Sequence, residues 1–284
     1  MAHIINGKEI AEKFYEQIKV RVGEVRRQGV EPCIALINAG DDPASALYIA
    51  KKEKLAAYLG ITSIVYKLDN DVSENYLSEL INSLNNNNKV HAILLQSPLP
   101  KHLQFRKIVD IIDPNKDVDG LTTTNQGKLL TGEPAIFPCT PLGILHMLDT
   151  VHQNIAGLHA VVIGRSTIVG RPLAQLLLNA NCSVTSLHSY SRDLPAICKT
   201  ADILISAIGK PLFVGREFVK SGATVIDVGI NRIEKDGIKK TVGDVKFDDV
   251  KELAAAISPV PNGVGPMTVA YLMSNTLSLA FRCC

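Results

Sequence analysis

Several features that would narrow the function quickly are missing from this chain. Basic and acidic side chains nearly cancel, 30 against 28 for a formal charge of +2, so no basic stripe suggests nucleic acid and no acidic tail suggests disorder. Apolar runs are short and interrupted by Gly, Asn or charge, which leaves no segment able to span a bilayer. The opening MAHIINGKEIAEKF lacks the apolar stretch of a signal peptide, and a cytoplasmic location is the expectation. The six cysteines, Cys33, Cys139, Cys182, Cys198, Cys283 and Cys284, include no C-x-x-C pair and no histidine cluster at zinc spacing. Free thiols are therefore expected, several of them buried, and no metal site. No internal repeat is evident.

What is present is a long alternation of helix-like and strand-like segments. With 284 residues, 46% of them hydrophobic, the chain can build two cores. Ile10, Phe14, Ile18, Val22 and Val25 recur at helical spacing. CIALINAG (33–40) reads as a strand. DDPAS then starts a helix, with Pro43 in its first turn, that should end at Gly60. ITSIVYKL and VHAILLQ are further strands, with a helix over SENYLSELINSLNN between them. From Pro98 to Pro141 the pattern loosens. A helix over about 142–151 follows, and then AVVIG, CSVTSLH, DILISAIG and ATVIDVG, four β-rich runs of a second series. Strand–helix alternation implies right-handed βαβ units and mostly parallel sheets. The final GPMTVAYLMSNTLSLAF is a long apolar-faced helix expected to pack back on the first lobe.

The stretch VVIGRSTIVGRP (161–172) has the form of a strand turning tightly into a helix. Such a turn aims unpaired backbone N–H groups at whatever lies above it, a ready site for phosphate. Gly164 permits the turn, and Gly170 lets helix and strand come close. The spacing departs from G-x-G-x-x-G, and a plain βα turn stays open on this loop alone. NAD-binding units place an acid near the end of the second strand for the ribose hydroxyl. Here that strand ends in His188 and Ser189, and Arg165 stands in the loop. A corner turned from negative to positive favours a 2′-phosphate, hence NADP.

Other segments admit more than one reading. Tyr48 and Lys52 share a helix face. The Y-x-x-x-K pair of short-chain dehydrogenases follows the nucleotide loop, whereas this one precedes it, which excludes that family. NKDVDGLTTTNQ (115–126) approximates a calcium loop but has Gln126 where the bidentate Glu belongs, so a turn bearing an exposed carboxylate is the plainer reading. PVPNGVGPMT (259–268) can wall a ligand pocket or simply cap the last helix.

Taken together, YIAKK (48–52), LLQSPLP (94–100), PNKDVDG (114–120), PCTP (138–141), GRSTIVGRP (164–172) and PVPNGVGPMT, in this order, resemble the bifunctional methylenetetrahydrofolate dehydrogenase/cyclohydrolase family. The resemblance implies an α/β fold of two lobes. Residues 1–139 would form a βαβ folate-binding catalytic domain to which 268–284 return, and 140–267 a Rossmann-like NADP-binding domain. It implies NADP-dependent oxidation of 5,10-methylenetetrahydrofolate to the methenyl cation, then hydrolysis to 10-formyltetrahydrofolate, by a homodimer that binds neither nucleic acid nor membrane. It implies Lys52 as the catalytic lysine, Gln96 as its hydrogen-bonding partner and Tyr48 lining the folate site. Asp119 would hold the pterin's amino edge, and Pro261 and Gly263 would lie between folate and nicotinamide. Gly164, Arg165, Ser166, Ser189 and Ile230 would bind the cofactor. Ser97, Thr122, Thr123 and Asn262 depart from the family pattern and bear on substrate affinity. Two alternatives remain at this point: a dehydrogenase with little cyclohydrolase activity, and a non-catalytic NADP-binding module.

Overall fold

A computed structural model describes residues 2–235 and 238–282. The first half contains β1 (His3–Ile4), α1 (Gly7–Arg27), β2 (Cys33–Ala39), α2 (Pro43–Leu59), β3 (Thr62–Leu68), α3 (Glu74–Asn85), β4 (Ala92–Leu95), α4 (Phe105–Val109) and α5 (Thr123–Thr131). After these come α6 (Cys139–Asp149), β5 (His159–Ile163), α7 (Gly170–Asn179), β6 (Ser183–Leu187), α8 (Leu194–Cys198), β7 (Ile203–Ser206) and β8 (Thr224–Asp227). The chain finishes with β9 (Asn231–Lys235), β10 (Ile238–Val242), α9 (Phe247–Val250), β11 (Ala256–Ile257) and α10 (Val264–Phe281). Among the described residues no helix is long and apolar enough to cross a membrane.

These elements form two compact units. The catalytic unit, 13–139 with 269–284, is built on a parallel three-stranded sheet of order β3-β2-β4. Strand β2 is buried along its whole length, as a central parallel strand covered on both faces must be. Ile34 and Leu36 face one way, toward Ile18, Val22 and Val25 of α1, Ile49 of α2 and Leu272, Met273 and Leu277 of α10. Cys33, Ala35 and Ile37 face the other way, toward Leu77 and Ile81 of α3 and Ile108 of α4. The return of the last helix to this core is as the sequence suggests. So are the ends of α2, where Asp42 accepts the Ser45 N–H at 2.8 Å and Gly60 closes the helix at φ +80°.

The nucleotide unit comprises 1–12 and 140–268. Its six-stranded sheet runs β1-β11-β8-β7-β5-β6, and every pairing is parallel. The opening segment joins this unit through β1, which pairs with β11, His3 against Ala256. A two-residue strand has no periodicity to read, so its partner is invisible locally. Three differences from the sequence expectations are local. Helix α6 begins at Cys139 rather than near 142, the loose stretch holds α4 and α5, and β9 and β10 pair antiparallel. The described cysteines, Cys33, Cys139, Cys182 and Cys198, are free and buried, while Cys283 and Cys284 lie outside the described residues.

Candidate active site

In the catalytic unit, α2 carries Tyr48 and Lys52 one turn apart, both half-buried. Gln96 follows directly on β4, whose register it continues by donating its backbone N–H to the Ile37 carbonyl at 2.9 Å. Its side-chain Oε1 accepts from Lys52 Nζ at 2.9 Å, and its Nε2 donates to the Ser97 carbonyl at 2.6 Å. The lysine is thus held by an amide that is itself held. The third member, Asp119, is close enough to Lys52 for the two charges to act on each other.

Burial pushes the Lys52 ammonium below its usual range, and the charge of Asp119 pulls it partly back. Burial pushes the Asp119 carboxyl up, opposed by Lys52 and by a hydrogen bond from Cys139. Both shifts favour the neutral forms, because withdrawing either charge from water costs more than the partner returns. The Cys139 thiol is raised well above its ordinary range, first by burial and then by Asp119, and is not a nucleophile.

The loop that presents Asp119 is ordered by its neighbour. Asp117 is buried and accepts from the N–H groups of Leu121 (3.1 Å) and Thr122 (2.8 Å) and from Asn125 Nδ2 (2.9 Å). Its oxygens are committed to the loop itself, and Gln126 sits inside α5, so the calcium-like spacing folds into a helix start. Thr122 caps α5, its Oγ1 accepting the Asn125 N–H at 3.3 Å. Thr123 ties to Asp110, donating its N–H and its hydroxyl at 2.6 Å each. These two departures from the family pattern therefore have local work. Sequence reasoning missed Asn275. From α10 it donates to the carbonyls of Val118 (2.9 Å) and Phe137 (3.0 Å) and to Cys139 Sγ (3.4 Å), locking the loop before Asp119. The only signal was a polar residue at a core-facing position of an apolar helix.

In the nucleotide unit, Gly164 adopts φ +118°, and a Cβ there would lie 2.3 Å from the Ala207 carbonyl oxygen. At Gly170 a Cβ would lie 2.2 Å from the Gly164 carbonyl oxygen, so the six-residue spacing preserves the close strand–helix approach. Ser166 Oγ accepts from the N–H groups of Val169 (3.2 Å) and Gly170 (3.3 Å) and organises the first turn of α7. Arg165 and Ser189 are exposed. The Arg165 guanidinium lies 5.8 Å from the ring centroid of Tyr190, a residue 81% exposed that the sequence reading passed over. Loop and second-strand turn thus meet, with no carboxylate supplied by His188 or Ser189.

Ile230 is exposed after β8. Pro261 and Gly263 lie in the turn before α10, within this unit rather than with Lys52. Between them Asn262 takes φ +76°, the left-handed conformation that glycine would supply, and its carbonyl accepts the Lys8 N–H at 3.1 Å. Asn is among the few side-chain-bearing residues that adopt it readily, so the replacement keeps the backbone path.

The comparisons divide the chain by sequence, near residue 138, whereas the two compact units are interleaved at both ends. The tetrahydrofolate dehydrogenase/cyclohydrolase catalytic-domain model matches residues 5–119, and the NAD(P)-binding-domain model of the same family matches 138–283. The chain is 48% identical over 281 residues to the bifunctional protein FolD of Ehrlichia ruminantium (strain Welgevonden), covering 98% of this chain and 94% of that one. Among solved structures it is similar to the bifunctional FolD enzyme of Campylobacter jejuni, with a TM-score of 0.96, 41% identity and 99% of each chain covered. It is also similar to the methylenetetrahydrofolate dehydrogenase-cyclohydrolase of Trypanosoma brucei solved with NADP and an inhibitor, with a TM-score of 0.94, 35% identity and coverage of 99% and 98%. With both domain models matched in order and a half-buried lysine–glutamine pair in the first of them, the chain belongs to the tetrahydrofolate dehydrogenase/cyclohydrolase family.

Proposed function

We propose that this chain oxidises 5,10-methylenetetrahydrofolate to the 5,10-methenyl cation with NADP and hydrolyses that cation to 10-formyltetrahydrofolate. The observation that carries the reading is the Lys52–Gln96 hydrogen bond with Asp119 beside it, within the catalytic-domain match. A module that only bound NADP would have no use for this cluster, and a dehydrogenase without cyclohydrolase activity little use for its lysine. When bound, NADP supplies the nicotinamide that accepts a hydride from the one-carbon bridge.

Lys52 serves the hydrolytic step. A water oxygen bonds to the methenyl carbon and must shed two protons overall, one to N5 as the C–N5 bond breaks and one to solvent. A lysine whose ammonium is destabilised by burial can act as the free amine that takes the first proton and then returns it at N5. Gln96 fixes where the amine points. Asp119 accepts from the two donors of the pterin's amino edge, a match of acid to paired N–H groups, and the Tyr48 ring lines the same site. Pro261 and Gly263 contribute to folate binding from their own loop. For the cofactor, the tight turn at Gly164 brings the positive end of α7 close to the phosphates, while Ser166 orders that turn by taking the Val169 and Gly170 N–H groups. Arg165 and Ser189 take the 2′-phosphate, and Ile230 offers an apolar surface. The enzyme works as a homodimer in the cytoplasm.

Following methenyl-folate absorbance tests the whole reading. With NADP the signal should rise on adding methylenetetrahydrofolate, and added methenyltetrahydrofolate should decay faster than in buffer. Formation without accelerated decay would leave a dehydrogenase alone, and neither would remove the enzymatic assignment.

A further inference from the structure

Two carboxylates without a part in the chemistry above are buried together in the nucleotide unit. Asp227, the last residue of β8, is 3% exposed and Asp244, just past β10, is 0% exposed. Asp227 Oδ1 accepts from the N–H groups of Gly229 (3.0 Å) and Asp244 (2.9 Å), and Oδ2 from that of Val245 (2.9 Å). Asp244 Oδ2 accepts from the Ser206 hydroxyl (3.2 Å) and from the N–H groups of Ile208 (2.9 Å) and Gly209 (3.2 Å), while Oδ1 accepts from Asn231 Nδ2 (3.0 Å). The backbone closes on both acids. A Cβ at Gly243 would fall 1.8 Å from Asp227 Oδ2, and one at Gly229 would fall 2.2 Å from Asp244 Oδ1.

Buried acids are a costly way to fill a core and are tolerated when every lone pair finds a donor. What these donors share is their place in the fold. In a doubly wound sheet the ligand crevice opens above the carboxyl ends of the strands where the strand order reverses. With the order β8-β7-β5-β6, that point lies between β5 and β7. Ile208 and Gly209 belong to the loop after β7. Asn231 opens β9 directly after the loop that follows β8, which carries Ile230. The same β7 loop supplies the Ala207 carbonyl against which Gly164 packs. The segments after β7 and β8 are therefore tied to one buried side chain, and the Gly164 turn packs on the first of them.

We infer that Asp244, itself held by Asp227, is a positioning residue for hydride transfer: it fixes the loops after β7 and β8 that form the nicotinamide side of the crevice, whereas Arg165 anchors the adenosine phosphate. This rests on the NADP-dependent dehydrogenase reading given above. Binding energy and reaction geometry are then separable, since the anchor lies on a different loop from the parts that Asp244 orders.

The test uses the full-length chain with Asp244→Asn, which keeps the volume but removes the charge and one acceptor, and Asn231→Ala, which removes a single donor at a partly buried position. For Asp244→Asn, kcat for methylenetetrahydrofolate oxidation should fall about tenfold or more while KM for NADP moves by less than about threefold. Hydrolysis of added methenyltetrahydrofolate should continue at the wild-type rate, which also reports that the catalytic unit is folded. Asn231→Ala should show the same split with a smaller fall, and it decides the matter if Asp244→Asn does not fold. An unchanged kcat, or a loss shared equally by KM for NADP, overturns the inference. A wild type that does not oxidise methylenetetrahydrofolate with NADP would instead overturn the functional reading on which it rests.

Discussion

In the proposed function the catalytic unit places its chemistry on titratable side chains, and the nucleotide unit relies on a close-packed turn and one exposed arginine. Around Lys52 the working groups are a half-buried amine, an amide and a carboxyl whose proton affinities are moved by burial. Around Gly164 they are a turn with no room for a methyl group and a helix start closed by Ser166, plus one exposed arginine. The contrast follows from the tasks. Moving a proton requires a titratable group taken out of water, whereas holding a pyrophosphate requires donors already fixed in space. The two units should accordingly fail by different routes, one through loss of a functional group and the other through added bulk or lost charge.

The largest expected effect is that of Lys52→Met, which keeps length and removes the amine. Cyclohydrolase activity should drop by roughly 10²- to 10⁴-fold, the usual contribution of a positioned acid–base group, with NADP binding intact by titration. A mutant that hydrolyses the methenyl compound at the wild-type rate would remove Lys52 from the mechanism. Gly164→Ala is the counterpart in the other unit. It sets a methyl 2.3 Å from a carbonyl oxygen at a φ that side chains avoid. Combined strain and overpacking of about 2–3 kcal/mol corresponds to roughly 30- to 150-fold weaker NADP use. Cyclohydrolase activity should persist, and an alanine variant with normal NADP kinetics would mean that the turn yields more easily than its geometry implies.

Arg165→Ala tests charge rather than shape. Loss of a charge-assisted contact worth about 1.5–3 kcal/mol should raise KM for NADP by roughly 10- to 150-fold and leave use of NAD nearly unchanged. A wild type that prefers NAD, or a variant with unchanged preference, contradicts the assignment of the 2′-phosphate to this residue.

The smallest effect concerns acid. His91 is buried at the entry to β4, and its Nδ1 accepts the Cys33 N–H at 3.2 Å. That bond needs a neutral ring, and burial, with Lys116 nearby, holds the imidazole below its ordinary range. A folded value below the unfolded one, about 6.5, means that the unfolded chain binds the proton first. Its contribution is therefore present above about pH 6.5 and is lost as pH falls toward the folded value. Asp227 behaves in the opposite sense. Burial raises its carboxyl to about 7, so the folded form takes the proton first, and its share of stability grows as pH falls through that value. Hydrogen exchange measured from pH 7 to 5.5 should show protection falling around β2 and β4 but not around β7 and β8. Equal loss in both would erase the distinction.

How much of this was legible follows from the range of each cause. Strands β2 to β8 and α2 declare themselves through apolar runs, Asp42, Pro43 and Gly60, all local signals. Lys52, Gln96 and Asp119 were found as ordered motifs rather than as a site, since nothing in spacing shows that residues 44 apart form a hydrogen bond. Asn275, Asp227 and Asp244 went unnoticed because a buried polar residue looks like any other until its donors and acceptors are known. Tyr190 was overlooked because its relation to Arg165 spans two loops. The β9–β10 pair lacked a clean period-two pattern, with charged residues on both faces.

The pairing of His3 with Ala256, together with the packing of Leu272, Met273 and Leu277 against α1 and β2, has a consequence for the order of events during synthesis. Domains made on a ribosome commonly fold one after another as they emerge. Here the nucleotide unit must wait some 250 residues for its opening strand to find β11, and the catalytic unit must wait for the last helix to cover a sheet already translated. Each unit begins early and is finished late. A polypeptide interrupted anywhere before α10 leaves the catalytic core with an uncovered face, so the chain completes both units only once nearly all of it has been released.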